Sequence, residues 1–376
     1  MIPHHPLVGT VRIRGEALAQ GLAGDFETYL LSWRYDPNRG GPAAVRAISR
    51  IGWFGDLLRG RQVHDKGKIK VIVAPILFVR REGLESVRSI NTRIVNSIIR
   101  DLQIDFVVNE LAIVNSADLA RPHLIDIVDL PTPYEIRRWR NQARGAIAVT
   151  TVTEGIAEEL RKNGIEARVV GNGADVARFR RAQGGAIRER YGLQDKSVIG
   201  YIGYHAEWSG LSFLLDVFKG VKKRVPEAAL FIVGGGSEIP GAIRKRDSER
   251  IEDIVFAGPV EATGVAEYFA AIDLGVLPFE LDPHAALSFP IKIVEYGAAR
   301  KMVVASPLAV LRKIALPYVR IAEREVDAWA GAIVSLRQER WHSEWDAAVD
   351  RYDWARMSEK MASHLKSACP GGPGGS

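Results

Sequence analysis

Lys292 and Glu295 stand three residues apart in the run Ser288-Phe-Pro-Ile-Lys-Ile-Val-Glu-Tyr-Gly-Ala-Ala-Arg-Lys-Met-Val-Val-Ala-Ser306, which reads as a helix followed by a buried strand. At that spacing both side chains share one helical face near its N-terminal end. An ammonium there can meet a diphosphate, and a carboxylate one turn on can accept ribose hydroxyls. The same spacing also makes an ordinary surface ion pair. Two glycine runs accompany the pair. Gly200-Tyr-Ile-Gly-Tyr204 closes a strand and leads through His205-Ala-Glu-Trp-Ser-Gly210 into an amphipathic helix, and Leu230-Phe-Ile-Val-Gly-Gly-Gly-Ser-Glu238 is a strand that breaks into glycines. Glycine lets backbone N–H groups approach a phosphate, and a helix N-terminus adds a favourable dipole. Gly234–Gly236 also reads as a simple turn. It is no dinucleotide fingerprint, because Ile239 holds the sixth position of Gly-x-Gly-x-x-Gly counted from Gly234. His205 fits an ordinary loop histidine as well as a functional one.

Such residues need strand ends brought side by side, and the pattern supplies them. Short β-rich apolar runs alternate with helical segments, the signature of parallel α/β layers. Strands are expected near Phe26–Ser32, Ile69–Ala74, Phe106–Asn109, Leu124–Val128, Ile147–Thr151 and Arg168–Val170, with helices near Arg12–Leu22, Ser89–Leu102 and Glu154–Lys162. Thr153 suits the N-cap of the last helix and Gly164 its C-terminal stop. After the polar stretch Asn172–Gln194 the rhythm restarts. Strands are expected near Val198–Gly203, Ala229–Val233, Ile254–Phe256, Leu274–Leu277, Met302–Ala305 and Val319–Ile321, and helices near Ser209–Arg224, Val265–Ala271, Ile291–Ala299 and Val326–Arg340. The expected organisation is two doubly wound Rossmann-like domains, 1–175 and 176–340, a helical segment over 341–369 and a Gly/Pro-rich tail over 370–376. A doubly wound domain normally opens on a central strand. Here the opening MIPHHPLVGTVRIRGEALAQGLA reads as a loop running into a helix, so the first strand is expected to be missing, either because the start lies upstream, the favoured reading, or because the N-terminal sheet is short by one strand.

Composition bounds the function. The chain has 376 residues, 47% hydrophobic and 26% charged, which excludes disorder as the main state. A net charge of +6 is too small to imply a nucleic-acid partner, yet it suits anionic small molecules or an anionic membrane surface. One cysteine, Cys369, can build neither a disulfide framework nor a Cys-based zinc site. The longest apolar run, Val71–Val79, is too short to span a bilayer, which takes about 20 residues. With no apolar leader visible, the expected place is the cytoplasm, at most the inner face of a membrane. His4 and His5 fit inert terminal histidines better than metal ligands. Arg137, Arg138 and Arg140 around Trp139 form either a solvated helix face or a contact for a membrane-linked or phosphorylated acceptor.

Taken in order, Asn172-Gly-Ala-Asp-Val-Ala-Arg-Phe179, Gly-Tyr-Ile-Gly, Val-Gly-Gly-Gly and Pro290-Ile-Lys-Ile-Val-Glu-Tyr-Gly resemble the GT-B glycosyltransferases of family 4. Tyr352-Asp-Trp-Ala-Arg-Met-Ser is similar to the helix that in that family crosses back to the first domain. The resemblance covers about residues 145–366 well and the first part in outline. It implies a retaining transferase moving a sugar from a UDP- or GDP-linked donor to a glycan or lipid-linked acceptor, with the nucleotide on the C-terminal domain. By motif, Glu295 would accept the ribose hydroxyls and Lys292 would contact the diphosphate. Gly203 and Tyr204 would line the pyrophosphate, with Gly234 and Gly235 near the nucleotide and backbone at Phe256, Ala257 and Gly258 reading the base. In the first domain, Gly9 would approach the donor phosphate, and Asp129 would face the donor sugar, although Asp129 equally suits a cap of the loop preceding Pro131 and Pro133.

The pattern also departs from that family. Ser209 stands where many members carry a cation, and Leu287 stands where the first of two paired glutamates is expected. His205, Lys292 or Arg312 could supply the missing charge. No Asp-x-Asp metal motif is present, so no metal and no other cofactor is expected, and the leaving phosphate would be stabilised by Lys292 and backbone dipoles. The resemblance further implies front-face attack, with that phosphate taking the acceptor proton. Two rivals stand beside this reading: a non-catalytic nucleotide-sugar-binding protein or partner subunit, which the missing glutamate and the missing first strand both favour, and a sugar-nucleotide epimerase, for which no convincing acid/base pair is found.

Overall fold

The computed structural model describes residues 1–3, 14–33, 60–76, 85–110, 113–281, 287 and 289–368. The chain divides into two compact units, Met1–Gly171 with Trp354–Ser376 and Asn172–Asp353. The second division falls at 353/354, against 340/341 read from the sequence. The intervening segment packs on the second unit. The Trp341 ring lies 5.2 Å from that of Tyr318, and Asp346 accepts from Trp341 Nε1 at 3.0 Å and pairs with Arg300 at 2.6 Å.

The first unit carries β1 (Tyr29–Ser32), β2 (Gln62–Lys66), β3 (Ile69–Val73), β4 (Val107–Asn109), β5 (His123–Ile127), β6 (Ala148–Thr151) and β7 (Arg168–Val169). Among the described residues these form two sheets, ordered β1-β3-β2 and β4-β5-β6-β7. Met1 and Ile2 are tied into the sheets. Ile2 bridges Asn109 in parallel, donating to Val108 O at 2.7 Å and accepting from Glu110 N at 2.8 Å, while Met1 O accepts from Leu31 N at 2.9 Å. Met1 and Ile2 thus lie between β1 and β4, the place where the sequence reading left the first strand missing. β2 escaped that reading because all five of its residues are exposed and carry no apolar alternation. It pairs antiparallel with β3 across a turn at Gly67 (φ +63°), held by Gln20, whose Nε2 donates to Lys66 O at 2.7 Å.

Where caps and apolar periods coincide, expectation and structure agree. The Glu154–Lys162 helix begins at Thr153, whose side chain accepts from Ile156 N at 3.1 Å, and Gly164 follows it at φ +75°. The Trp354–Ala368 helix buries Met357, Met361 and Leu365 with Leu18 and Leu22. The approach of the two helices requires glycine at position 21, where a Cβ would lie 2.1 Å from Ser358 Oγ.

The second unit carries β8 (Ser197–Ile202), β9 (Ala228–Val233), β10 (Ile254–Gly258), β11 (Leu274–Leu277), β12 (Met302–Ala305) and β13 (Val319–Ile321). Among the described residues they form a six-stranded sheet ordered β10-β9-β8-β11-β12-β13, every pairing parallel. Its inner strands β8, β9, β11 and β12 read as continuous apolar runs because both faces are covered. Along β9, Ala229, Phe231 and Val233 enter one core with the Ile291–Ala298 helix. Ala228, Leu230 and Ile232 enter the other with the Leu211–Arg224 and Val326–Leu336 helices. The polar stretch after Asn172 is not irregular: it holds two short helices, Val176–Arg181 and Gly185–Tyr191. From β8 the chain builds outward through β9 to β10, then returns to place β11 on the other side of β8. The order reverses between β8 and β11, and in open parallel sheets ligands enter at the strand carboxyl ends of such a point.

Candidate functional site in the second unit

The loops leaving β8, β9 and β10 are joined backbone to backbone. Gly203 N donates to Val233 O, Gly234 N to Gly258 O and His205 N to Gly235 O, each at 2.9 Å. These seams are open only to glycine. A Cβ on Gly234 (φ +124°) would lie 1.8 Å from Gly203 O, and one on Gly236 would lie 2.1 Å from His205 O. Beside this seam runs Lys292, whose Cε lies 3.6 Å from the Cβ position of Gly203. Its ammonium is 2.8 Å from Glu295 Oε2 and 5.6 Å from the centre of the Phe269 ring. The two readings of the Lys292–Glu295 spacing therefore meet: an ion pair forms, and it forms against the glycine strand end. The structure brings Gly203, His205, Gly234, Gly235, Gly258, Lys292 and Glu295 together. Tyr204 stands out from the same strand end, 64% exposed.

His205 is not a source of charge. Its ring is buried, edge-on to Tyr201 at 4.6 Å, with Nε2 3.2 Å from Val233 O. In the tautomer that bonds this carbonyl, Nε2 carries the proton. Burial pushes the imidazole down to about 4, the charge of Lys292 adds to this, and the Val233 carbonyl opposes it. Arg312 is likewise taken up elsewhere, paired with Glu323 at 2.7 Å on the surface. Of the three cations considered from sequence, Lys292 alone lies along Gly203. Ser209 is buried, its carbonyl accepting from Tyr201 Oη at 2.8 Å. Leu287 is half-buried.

Sequence reasoning missed two residues here. Arg324 enters from the loop after β13, stacks 4.3 Å over the Phe213 ring and pairs with Glu280 through Nε at 3.1 Å. Its Nη2 comes 3.3 Å from the Cβ position of Gly210, so a guanidinium stands beside the loop that carries Ser209. Tyr296, next to Glu295, is wholly buried. Its signal was present in the sequence, since glycine inside a strand marks a close approach. Gly275 lies flat against the Tyr296 ring, where a Cβ would come within 2.5 Å.

In the first unit, Asp129 follows β5, and Gly9, His4, His5 and Cys369 lie outside the described residues. The basic cluster is not an aromatic surface patch: Trp139 is buried, and Arg140 Nε donates to Asn163 O at 2.7 Å. Among the described residues no three His, Cys, Asp or Glu side chains gather as metal ligands, and no helix is long and apolar enough to cross a membrane.

Solved structures share this architecture over nearly the whole chain. Sucrose-phosphate synthase from Thermosynechococcus elongatus superposes with a TM-score of 0.69 at 16% identity, covering 94% of this chain and 92% of that one. Anabaena Alr3699/HepE, solved in complex with UDP, gives 0.69 at 16% identity, covering 97% and 99%. The fold is GT-B. Within it, residues 196–339 match the family model described as Glycosyl transferases group 1. Phosphatidyl-myo-inositol mannosyltransferase of Mycobacterium tuberculosis is 27% identical over 238 residues, 60% of this chain and 60% of that protein. The putative teichuronic acid biosynthesis glycosyltransferase TuaH of Bacillus subtilis is 32% identical over 128 residues, 32% of this chain and 30% of its own length. The chain thus spans about 60% of the length of the mannosyltransferases it matches.

Proposed function

We propose that the protein is a retaining glycosyltransferase of the family 4 type, transferring a sugar from a UDP- or GDP-linked donor to a glycan or lipid-linked acceptor on the cytoplasmic side. The observation that carries this is the Lys292–Glu295 pair lying against Gly203 at the strand-order reversal of a parallel sheet. Breaking an anomeric C–O bond leaves negative charge on a nucleoside diphosphate. An ammonium and amides aimed at that charge lower the barrier as it develops. In this reading Lys292 takes the phosphates, Glu295 accepts the ribose hydroxyls, and the bare side of Gly203, which faces only the Lys292 side chain, admits the diphosphate close to the backbone. Asp129 and Gly9 act from the first unit, on the donor sugar and the donor phosphate. No resident metal is needed for these roles. The names of the mannosyltransferase and TuaH, together with the UDP held by HepE, support the donor class and an acceptor of this kind.

A thermal-shift screen against UDP, GDP, ADP and their sugars tests the reading. A ligand at a hundredfold over its Kd adds about 2.7 kcal/mol to stability, so the matching nucleotide should raise the melting temperature, and Glu295→Ala should abolish the rise. A chain that ignores every nucleotide contradicts the proposal. Ser209 and Leu287 favour one alternative, a protein that binds nucleotide-sugars without turnover. Donor hydrolysis separates the two, because release of free sugar belongs only to the enzyme.

A further inference from the structure

We propose that Tyr296 is a positioning residue of the donor site, a phenol wedged into the sheet at its reversal point that fixes where Lys292 and Glu295 stand. This rests on the proposed function above. The β8–β9 ladder runs the full length from Ser197 to Ile202. Pairing between β8 and β11 covers only Ile199 with Leu274 and Gly200 with Gly275. Beyond that pair the two strands no longer bond each other, and the backbone groups on the opened edge would be stranded in a buried place. Tyr296 takes them. Its hydroxyl accepts from Ile202 N at 3.1 Å, donates to Gly200 O at 3.0 Å and lies 3.4 Å from Val276 O. One phenol thus satisfies both sides of the split, which an apolar side chain could not do without leaving buried donors and acceptors unmade.

The wedge also sets the helix. Tyr296 lies one turn after Lys292 and directly after Glu295 on the Ile291–Ala298 helix, so the depth of the phenol fixes the height of both. Its ring is seated from two sides, flat on Gly275 and edge-on to Phe269 at 4.9 Å, the same ring that Lys292 overhangs. A second tyrosine holds this helix without touching the split. Tyr318 donates to Ile293 O at 3.3 Å, and its ring packs so close to Gly297 that a Cβ there would lie within 2.5 Å. The two phenols separate positioning from mere support.

The experiment titrates the full chain with UDP, GDP and ADP in turn and follows the melting temperature of Tyr296→Phe, Gly275→Ala and Tyr318→Phe. Tyr296→Phe leaves Ile202 N and Gly200 O without the hydroxyl and should weaken the nucleotide that binds the wild-type chain by about tenfold or more. Gly275→Ala displaces the ring with its hydroxyl intact and should give the same loss. Tyr318→Phe should lower the melting temperature while keeping the Kd within about twofold, the sign of a purely structural contact. Wild-type affinity in Tyr296→Phe and Gly275→Ala, or an equal loss in Tyr318→Phe, overturns the inference. A wild-type chain that binds no nucleotide overturns the reading beneath it as well.

Discussion

In the second unit the strand ends are joined by backbone: Gly203 to Val233, Gly234 to Gly258, His205 to Gly235. In the first they are joined by buried side chains. Arg14 Nε reaches Asp126 Oδ2 at 2.8 Å with the two side chains 4% and 0% exposed, and Thr150 Oγ1 donates to Asp126 Oδ1 at 2.7 Å. Beside them Asn109 Nδ2 donates to Ser116 Oγ at 2.8 Å, and Ser116 Oγ to Gln142 Oε1 at 2.9 Å. The first arrangement spends its strand-end amides on the seam itself and leaves the Lys292 ammonium beside the bare side of Gly203, the place proposed above for an anionic ligand. The second places charge inside the fold, where its neighbours use it to hold the Arg14–Leu22 helix against β5.

The sharpest way to break this contrast is to remove one partner of the buried pair. Asp126→Ala takes a buried carboxylate away from the Arg14 guanidinium and from Thr150 Oγ1 and should cost about 3–5 kcal/mol, seen as a fall in the urea midpoint. A loss below about 1 kcal/mol, the range of an exposed pair, would mean that the first unit does not depend on this charge.

The second unit has a smaller, pH-dependent counterpart in His205. Its folded value of about 4 lies below the ordinary 6.5, so the unfolded chain binds the proton more readily. The stability it contributes is present above 6.5 and is lost as the pH falls toward about 4. Between pH 7 and pH 5 the loss should be about 2 kcal/mol. His205→Gln keeps a donor for Val233 O without the titration, and its stability should fall less over that interval. Equal slopes in the two proteins would show that the imidazole is not held neutral by burial.

This contrast also explains what could be read from the sequence. β8, β9, β11 and β12 announce themselves because both faces are buried and their apolar runs are unbroken. Lys292 and Glu295 are legible because their chemistry lies within one helical turn. β2 was invisible because it is exposed along its whole length. The strand position filled by Met1 and Ile2 was read as loop because so few residues carry no periodicity. Arg14 and Asp126, 112 residues apart in the chain, show no local pattern at all. Arg324 reaches the site from the loop after β13, and Tyr296 could be located only through Gly275 on another strand. His205 was visible, but its burial, which removes its charge, was not.

The central role proposed for Lys292 is that its ammonium serves a diphosphate. Calorimetric titration of the full chain with the responding nucleoside diphosphate and with its bare nucleoside, in wild type and Lys292→Ala, tests this most directly. The expected result is a diphosphate affinity about tenfold or more weaker in the variant, as for a lost charge-assisted contact, with nucleoside affinity unchanged. Equal diphosphate binding by both proteins would contradict it.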